Sequence, residues 1–565
     1  LTRHACTPTL PQIDLRRKLL PKPLFLGPPQ AISKTPSEDE GGGVVALSNG
    51  GLLAYWQENT LVQHDTRFLG FKIKLIDTVN GTTGPDITLG IMTPDGPDAM
   101  PIVSALAVGG FVVSWLGSFN TTTGRDVFCQ VYDATGRARG ATQQIDPRDQ
   151  GQGGAGGTAD VTALDTGGFV AAWDQYKNGS WESFARTYGA DGVALGDVVR
   201  LNASTLGDQG GPQITALAGG KFLAVWHDVY GINEGVDDRA LVARIFNVDG
   251  TPLTKAFVVN QDSGQGHDTA QSVGVTELAG GLVAMTWQHS YDVDTDGFVM
   301  ATAIVARIFN AAGNAVGPEF VVSTGDATTA TPVNPVITAL LDGRFMVAWG
   351  EANVMARVVN ADGSFSSDPF SVAPGNAQFP NNPTLTTLLD GRVVVGYHQY
   401  GTGWGNDLYE RVLDPREAAI TLTGTTASDL VLGTRFDDFV AAGKGHDVVD
   451  GGAGNDRLFG QNGNDTLRGG DGNDLLNGGT FDDLLTGGLG RDQFVFSLVS
   501  GDDRITDFTV GDDRLNLRAF GFADAGAALG HFAQTAEGAS FAFGGVSLLL
   551  EGVDLGQING SALML

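Results

Sequence analysis

Eight aspartates fall nine residues apart without a slip: Asp429, Asp438, Asp447, Asp456, Asp465, Asp474, Asp483 and Asp492. Two residues after each stands an apolar side chain, namely Val431, Val440, Val449, Leu458, Leu467, Leu476, Leu485 and Phe494. Five residues before each Asp, a glycine opens seven of the eight nonapeptides and Ala442 opens the other. An acidic Gly/Asp/Asn-rich linker has no reason to keep such phase. A strict period of this kind demands a stacked architecture in which each unit buries its apolar position against its neighbours. Glycine makes up 82 of 565 residues, about twice the usual fraction, but no Gly-X-Y period exists and collagen is excluded. With 42% hydrophobic residues spread along the chain, wholesale disorder is excluded as well.

The segments "GGAGNDRLF" (451–459) and "GGDGNDLLN" (469–477) resemble the GGxGxDxUx repeat of the RTX (repeats-in-toxin) family. That resemblance implies a parallel β-roll in which six residues turn, three form a short strand, and two repeats complete one coil. Asp456 then lies over Asp474, not over Asp465. Glycines such as Gly451, Gly454, Gly469, Gly470 and Gly472 turn carbonyl oxygens into the gap between coils. Carbonyls and stacked carboxylates together make a hard oxygen cage suited to Ca2+. The expected metal ligands are Asp438, Asp447, Asp456, Asp465, Asp474, Asp483 and Asp492 with those glycine carbonyls, holding up to about six ions. Without the cation the carboxylate columns repel across a thin core, so metal binding and folding are expected to be one event. Ala427, Phe436 and Phe481 stand where the fourth-position glycine belongs, which weakens the outermost sites.

Upstream, a second and longer period appears in "VSALAVGGFVVSW" (103–115), "VTALDTGGFVAAW" (161–173), "ITALAGGKFLAVW" (214–226), "VITALLDGRFMVAW" (336–349) and "LTTLLDGRVVVGY" (385–397). Each reads as a strand, a glycine turn and a second strand closed by an aromatic. The closing aromatics Trp56, Trp115, Trp173, Trp226, Trp287, Trp349 and Tyr397 are 59, 58, 53, 61, 62 and 48 residues apart. A third strand and turn follow, as in "RIFNVDG" (244–250), then a fourth, as in "KAFVVN" (255–260). Four short strands repeated seven times predict a seven-bladed β-propeller. Separate β-sandwich modules would need roughly 100 residues each. The units also resemble the AQR(F/Y)DADG repeats of large secreted bacterial calcium-binding proteins, in the forms Gln130-Val-Tyr-Asp133 and Ala243-Arg-Ile-Phe-Asn247.

The expected fold class is therefore all-β, with four parts: a basic, proline-containing arm (1–42), the propeller (43–418), the calcium roll (424–495) and a cap with a C-terminal secretion region (496–565). Residues 1–36 carry Arg3, Arg16, Arg17, Lys18, Lys22 and Lys34 against Asp14 alone. Four prolines break the apolar stretch "LLPKPLFLGPP", so an arm lying on the acidic body or adding an edge strand fits better than a secretory leader. The stretch 492–517 looks like the cap of serralysin-type secreted proteases. The family resemblance implies type I secretion from a Gram-negative bacterium to the medium or cell surface, through an uncleaved signal within 520–565.

Charge narrows the partners. Thirty-four basic against 64 acidic residues leave a net charge of −30, which makes nucleic acid a poor partner and cations good ones. No run of 18 apolar residues predicts a membrane span, and Cys6 and Cys129 cannot build a disulfide framework. No two of the eight histidines are four residues apart, so the HExxH helix of a zinc protease is absent. A GxSxG elbow and a Walker loop are absent too. Asp292, Asp294 and Asp296 with Gly297 match the opening of an EF-hand-like loop, although Met300 and Ala303 stand at its ninth and twelfth positions. Immediately after the closing aromatics stand Gln57, Asp174, His227, Asp228, Gln288, His289, Glu351, His398 and Gln399. A closed propeller gathers these on one face, so Asp174, His227, Asp228, His289, Glu351 and His398 are the candidate ligand-binding residues. Two functions fit: a secreted calcium-binding protein whose propeller binds a glycan, an envelope component or a protein, or a secreted polysaccharide lyase or hydrolase acting at that face. No catalytic motif favours the second.

Overall fold

The structure, a computed structural model, describes residues 24–26, 28–33, 38–62, 65–76, 83–89, 101–117, 126–145, 155–177, 179–204, 207–228, 240–261, 269–292, 300–324, 331–373, 381–400 and 406–565. Continuous apolar second strands, as in Phe111–Gly117 and Phe345–Gly350, and left-handed glycine turns produce seven antiparallel sheets upstream of two whose repeat strands pair in parallel, one of them ending in an antiparallel hairpin. In the fourth sheet the strands Gln209–Leu217, Lys221–Asp228, Ala240–Phe246 and Phe257–Val258 lie in sequence order. The others repeat this plan, and their first strands contact one another in succession until Asn381–Thr387 meets Glu38–Ala46 and closes the ring. This is a seven-bladed propeller. Its seven closing aromatics are the largest fully buried side chains, each wedged between adjacent blades where removal from water is worth most.

The seventh blade is completed from the far end of the chain. Leu24–Phe25 and Gln30–Ala31 pair antiparallel with Asn406–Asp414 as its outer strand. Other inter-blade fastenings come from side chains. The first strand of a blade exposes edge N–H groups that need acceptors, and in the first, third and fourth blades side chains of the preceding blade supply them. Thr384 accepts from Val44 N at 3.1 Å, Thr386 from Ala46 N at 2.9 Å, Asp160 from Ile214 N at 2.7 Å and Ser104 from Ala163 N at 3.0 Å. Arginines of the third strands act as bolts. Arg357 donates to Ser367 O and across to Val322 O of the previous blade, at 3.0 and 2.9 Å. Arg307 reaches Val259 O in the same way at 2.9 Å, and Arg411 reaches Val372 O.

Downstream, short strands stack with a register of 18 residues, so Val449 pairs with Leu467 and Leu458 with Leu476. Two facing parallel sheets result, forming a β-solenoid whose interior is the eight apolar positions, all with zero exposure. The cap continues both sheets: Asp502–Ile505 and Val546–Glu551 extend one, Arg514–Asn516 and Leu563–Met564 the other. No helix among the described residues is long and apolar enough to cross a membrane.

Candidate metal centre and the propeller face

In the roll each aspartate of the repeat from Asp447 to Asp492 has two different carboxylate oxygens. Oδ1 accepts the backbone N–H of the Asp one coil earlier: Asp447 from Asp429, Asp456 from Asp438, Asp465 from Asp447 and Asp474 from Asp456, each at 2.8 Å. Oδ2 points into the gap between coils. In Asp447, Asp456, Asp465, Asp474, Asp483 and Asp492 it is buried with no hydrogen-bond partner. Such orphaned oxygens are costly unless something positive meets them.

The gap is also lined by carbonyls. A Cβ on Gly451 would fall 2.4 Å from Asp456 Oδ2 and 2.6 Å from Gly469 O; one on Gly469 would fall 2.3 Å from Asp474 Oδ2 and 2.5 Å from Gly487 O. Glycine at the first position thus keeps open a cradle walled by carboxylate and carbonyl oxygen, the donor set of Ca2+. Gly454, Gly470 and Gly472 have φ of 123, 106 and 146° and bring their backbones against the preceding coil. Burial, reinforced by neighbouring carboxylates, pushes Asp447 and Asp456 up to about 7 and Asp483 up to about 8. A dipositive ion between the columns removes that penalty. Among the described residues no three His, Cys, Asp or Glu side chains converge to hold a metal; these cages depend on backbone oxygen for the rest of their ligands.

Three features escape the nine-residue arithmetic. Asp503 and Asp513 continue the two columns, accepting from Asp483 N and Asp492 N at 2.9 Å. Each is followed two residues later by a buried apolar side chain, Ile505 or Leu515, but the steps of 20 and 21 residues break the phase. The fifth position forms a ladder running the other way: Asn455 Oδ1 accepts Asn473 N at 2.9 Å and His446 Nδ1 accepts Asn464 N at 3.0 Å. Phe481 takes the glycine conformation of the fourth position, φ 77°, with its ring mostly in solvent.

Residues 423–458, 432–467 and 468–497 match the family model of the RTX calcium-binding nonapeptide repeat, in four copies. This stretch is an RTX roll. No curated protein matches the chain. Among solved structures, the polysaccharide lyase Uly1 is 11% identical with a TM-score of 0.47, over 67% of this chain and 90% of its own. An α-L-arabinanase of Penicillium chrysogenum complexed with arabinobiose is 15% identical with a TM-score of 0.40, over 70% and 99%. A protein of unknown function from Dyadobacter fermentans is 12% identical with a TM-score of 0.39, over 56% and 94%. At such identities and scores these likenesses carry no argument about activity.

On the propeller, the residues following the closing aromatics all lie at the face that receives the connections between second and third strands. Asp174 and His227 meet at one bulge: Asp174 Oδ2 accepts Gly211 N at 3.1 Å, and a Cβ on Gly211 would fall 3.1 Å from His227 Nδ1. Asp228 is buried and pairs in register with Gln209. His289, Glu351 and His398 lie one to a blade on the fifth, sixth and seventh. Glu351 accepts Trp349 Nε1 at 3.1 Å. Burial pushes the His398 imidazole down to about 4, opposed by the Gly42 backbone. Asp294 and Asp296 lie outside the described residues, whereas Met300 and Ala303 are in a strand that pairs them with Asp292 and His289.

The innermost strands reveal residues that the repeat pattern did not single out. Ser272, Asn334 and Asn382 occupy equivalent bulges of the fifth, sixth and seventh blades with φ of 49, 50 and 48°. Ser272 Oγ lies 3.1 Å from Asn334 Oδ1, and Asn334 Nδ2 donates to Asn382 Oδ1 at 2.8 Å. The fourth blade has Gly211 at this place, φ 65°.

Proposed function

We propose that the protein is a secreted calcium-binding RTX protein, exported by a type I machinery, whose propeller is a binding module for an extracellular glycan, an envelope component or a protein. What supports the binding face is the arc of Ser272, Asn334 and Asn382. All three hold left-handed backbone that non-glycine residues avoid, and Asn334 and Asn382 do so before Pro335 and Pro383, where extended backbone is preferred. Strain of this kind, about 1–3 kcal/mol per residue, persists where the surroundings enforce it and clusters at ligand sites. The arc faces the side where variable connections from seven blades gather, the usual place for recognition. The calcium roll offers regular sides and uses its inward oxygens on cations. A glycan-array screen of the full chain with calcium, beside an absorbance assay for uronate cleavage, tests the reading. Binding that Asn334→Gly with Asn382→Gly abolishes is the expected result. Binding retained in full by 424–565 alone refutes it, and turnover of a uronate polymer assigns the face to catalysis instead.

A further inference from the structure

We infer that the first coil of the roll is calcium-free: in Asp429 and Asp438 a threonine of the chain takes the place that the cation takes elsewhere. The inference rests on the calcium reading of the repeat and concerns where in the roll the ions stop.

The contrast lies in Oδ2. In the six aspartates from Asp447 to Asp492 this oxygen is buried and unpartnered. In Asp429 and Asp438 it accepts the backbone N–H of the residue four positions earlier, Thr425 or Thr434, at 2.5 Å. The threonine hydroxyls add bonds to Oδ1 at 2.7 and 3.0 Å. Asp438 Oδ1 also accepts Ile420 N at 2.7 Å. The cause is the second position of the nonapeptide. Gly452, Gln461, Gly470, Gly479 and Gly488 hold it with φ of 93, 80, 106, 112 and 98°, whereas Thr425 and Thr434 are not among the positive-φ residues. The threonine N–H takes a lone pair of Oδ2 and turns its positive end toward the place where the other six oxygens stand bare, so a cation there meets a competing donor and gains less from the carboxylate. The same Thr-x-x-x-Asp closure recurs at the far end of the second column, where Asp513 Oδ2 accepts Thr509 N at 2.7 Å.

A coil without metal needs another support, and the propeller supplies it. The outer edge of strand Leu430–Leu432 would present unpaired N–H groups. Leu430 N donates to Asn49 O and Leu432 N to Asp390 Oδ2, both at 2.9 Å. Asn49 and Asp390 belong to the first-to-second-strand turns of the first and seventh blades. Asp390 is buried and paired with Arg392 at 2.7 Å. Arg416 ties Leu432 O and Gly433 O to the same place at 2.6 and 2.9 Å. Gly50 allows the approach, since a Cβ there would fall 2.3 Å from Leu430 O. The propeller therefore presents a finished coil on which the calcium-dependent coils stack.

The test counts ions bound per full-length chain by native mass spectrometry in millimolar calcium, with hydrogen exchange of the calcium-stripped chain as a second reading. Asp429→Asn and Asp438→Asn are expected to keep the wild-type count, Asp474→Asn to lose at least one ion, and Thr434→Gly to gain one. In the stripped chain, peptides covering 428–434 are expected to stay protected while those covering 464–476 exchange. Loss of calcium from Asp438→Asn equal to that from Asp474→Asn, or equal exchange of the two peptides, overturns the inference. A wild-type chain that binds no calcium removes the underlying reading and this inference with it, and the wild-type count alone identifies that case.

Discussion

Leu467→Ala probes how tightly core packing and cation binding are coupled in the roll. Leu467 has zero exposure and is held in register between Val449 and Leu485. Each strand of the repeat contributes one such side chain, and the 18-residue ladders prevent neighbours from closing a void. The substitution should therefore cost about 3 kcal/mol, within the range for a buried leucine that cannot be compensated by collapse. Because folding and cation binding are linked, the loss appears as a higher calcium midpoint. Four cages are bounded on both sides by orphaned oxygens: Asp447/Asp465, Asp465/Asp483, Asp456/Asp474 and Asp474/Asp492. Spread over about four ions, 3 kcal/mol raises the midpoint roughly 3.5-fold; coupled to one ion it would raise it about 150-fold. Hydrogen exchange of peptides within 442–495 during calcium titration of the full chain reads that midpoint without interference from the propeller tryptophans. Leu489→Ala is the control, because Leu489 is 72% exposed. Equal midpoints for the two variants would refute a core closed jointly with the cations.

Calcium-stripped protein should gain roll structure on acidification. Asp447, Asp456 and Asp483 rise from an ordinary value of 3.8 to about 7, 7 and 8, so the folded roll holds protons that the unfolded chain releases. Its stability is greatest below about pH 4 and falls as pH rises through 6 to 8; exchange that is equally fast at pH 5 and pH 8, after correction for intrinsic rates, contradicts this. Arg357→Ala should destabilise the propeller by about 2 kcal/mol through lost buried hydrogen bonds, since it removes the ties to Ser367 O and Val322 O and the guanidinium 3.3 Å over Phe365; thermal melts followed by tryptophan fluorescence measure it, and an unchanged Tm rejects the bolt. Asn334→Gly should raise propeller stability by about 1 kcal/mol by relieving left-handed strain, an increase visible in the same melts and disproved by any fall in Tm.

The parts legible in the sequence were those set by rigid local period. The nine-residue phase from Asp429 to Asp492 reported the repeat, and the RTX resemblance of its motif implied the 18-residue stacking; both hold because no coil in that stretch changes length. The seven aromatics from Trp56 to Tyr397 reported the blades, because a side chain that large must be buried in every copy. What the sequence hid depends on distant partners. Ser272, Asn334 and Asn382 carry no mark in the sequence, and their left-handed backbone comes from the bulge that each first strand makes against the second. Nothing in the sequence around Arg307, Arg357 and Arg411 shows the carbonyl that the neighbouring blade brings to each. Asp503 and Asp513 fell outside the pattern because slightly longer turns precede them, although the apolar residue two places on was present in both cases. Thr425 and Thr434 were visible only as departures from glycine; that their N–H groups turn inward is a fact of backbone angle.

The outer strand of the seventh blade sets the order of assembly. Leu408 N donates to Ser33 Oγ across 375 residues of chain, and no blade in between can supply that partner. Six blades can form as hairpins close to their own sequence, but the belt has its buckle at the two extremes. Joining ends so far apart carries a large loop-closure entropy and makes such contacts late in folding. Until residue 414 has been made, the N-terminal segment has nowhere to dock, and from then until it docks Asn406–Asp414 keeps an open edge able to accept a strand from another copy. A second chain offering its own residues 24–31 would fit that edge equally well, so exchange of the N-terminal strand is the misassembly this topology most readily permits.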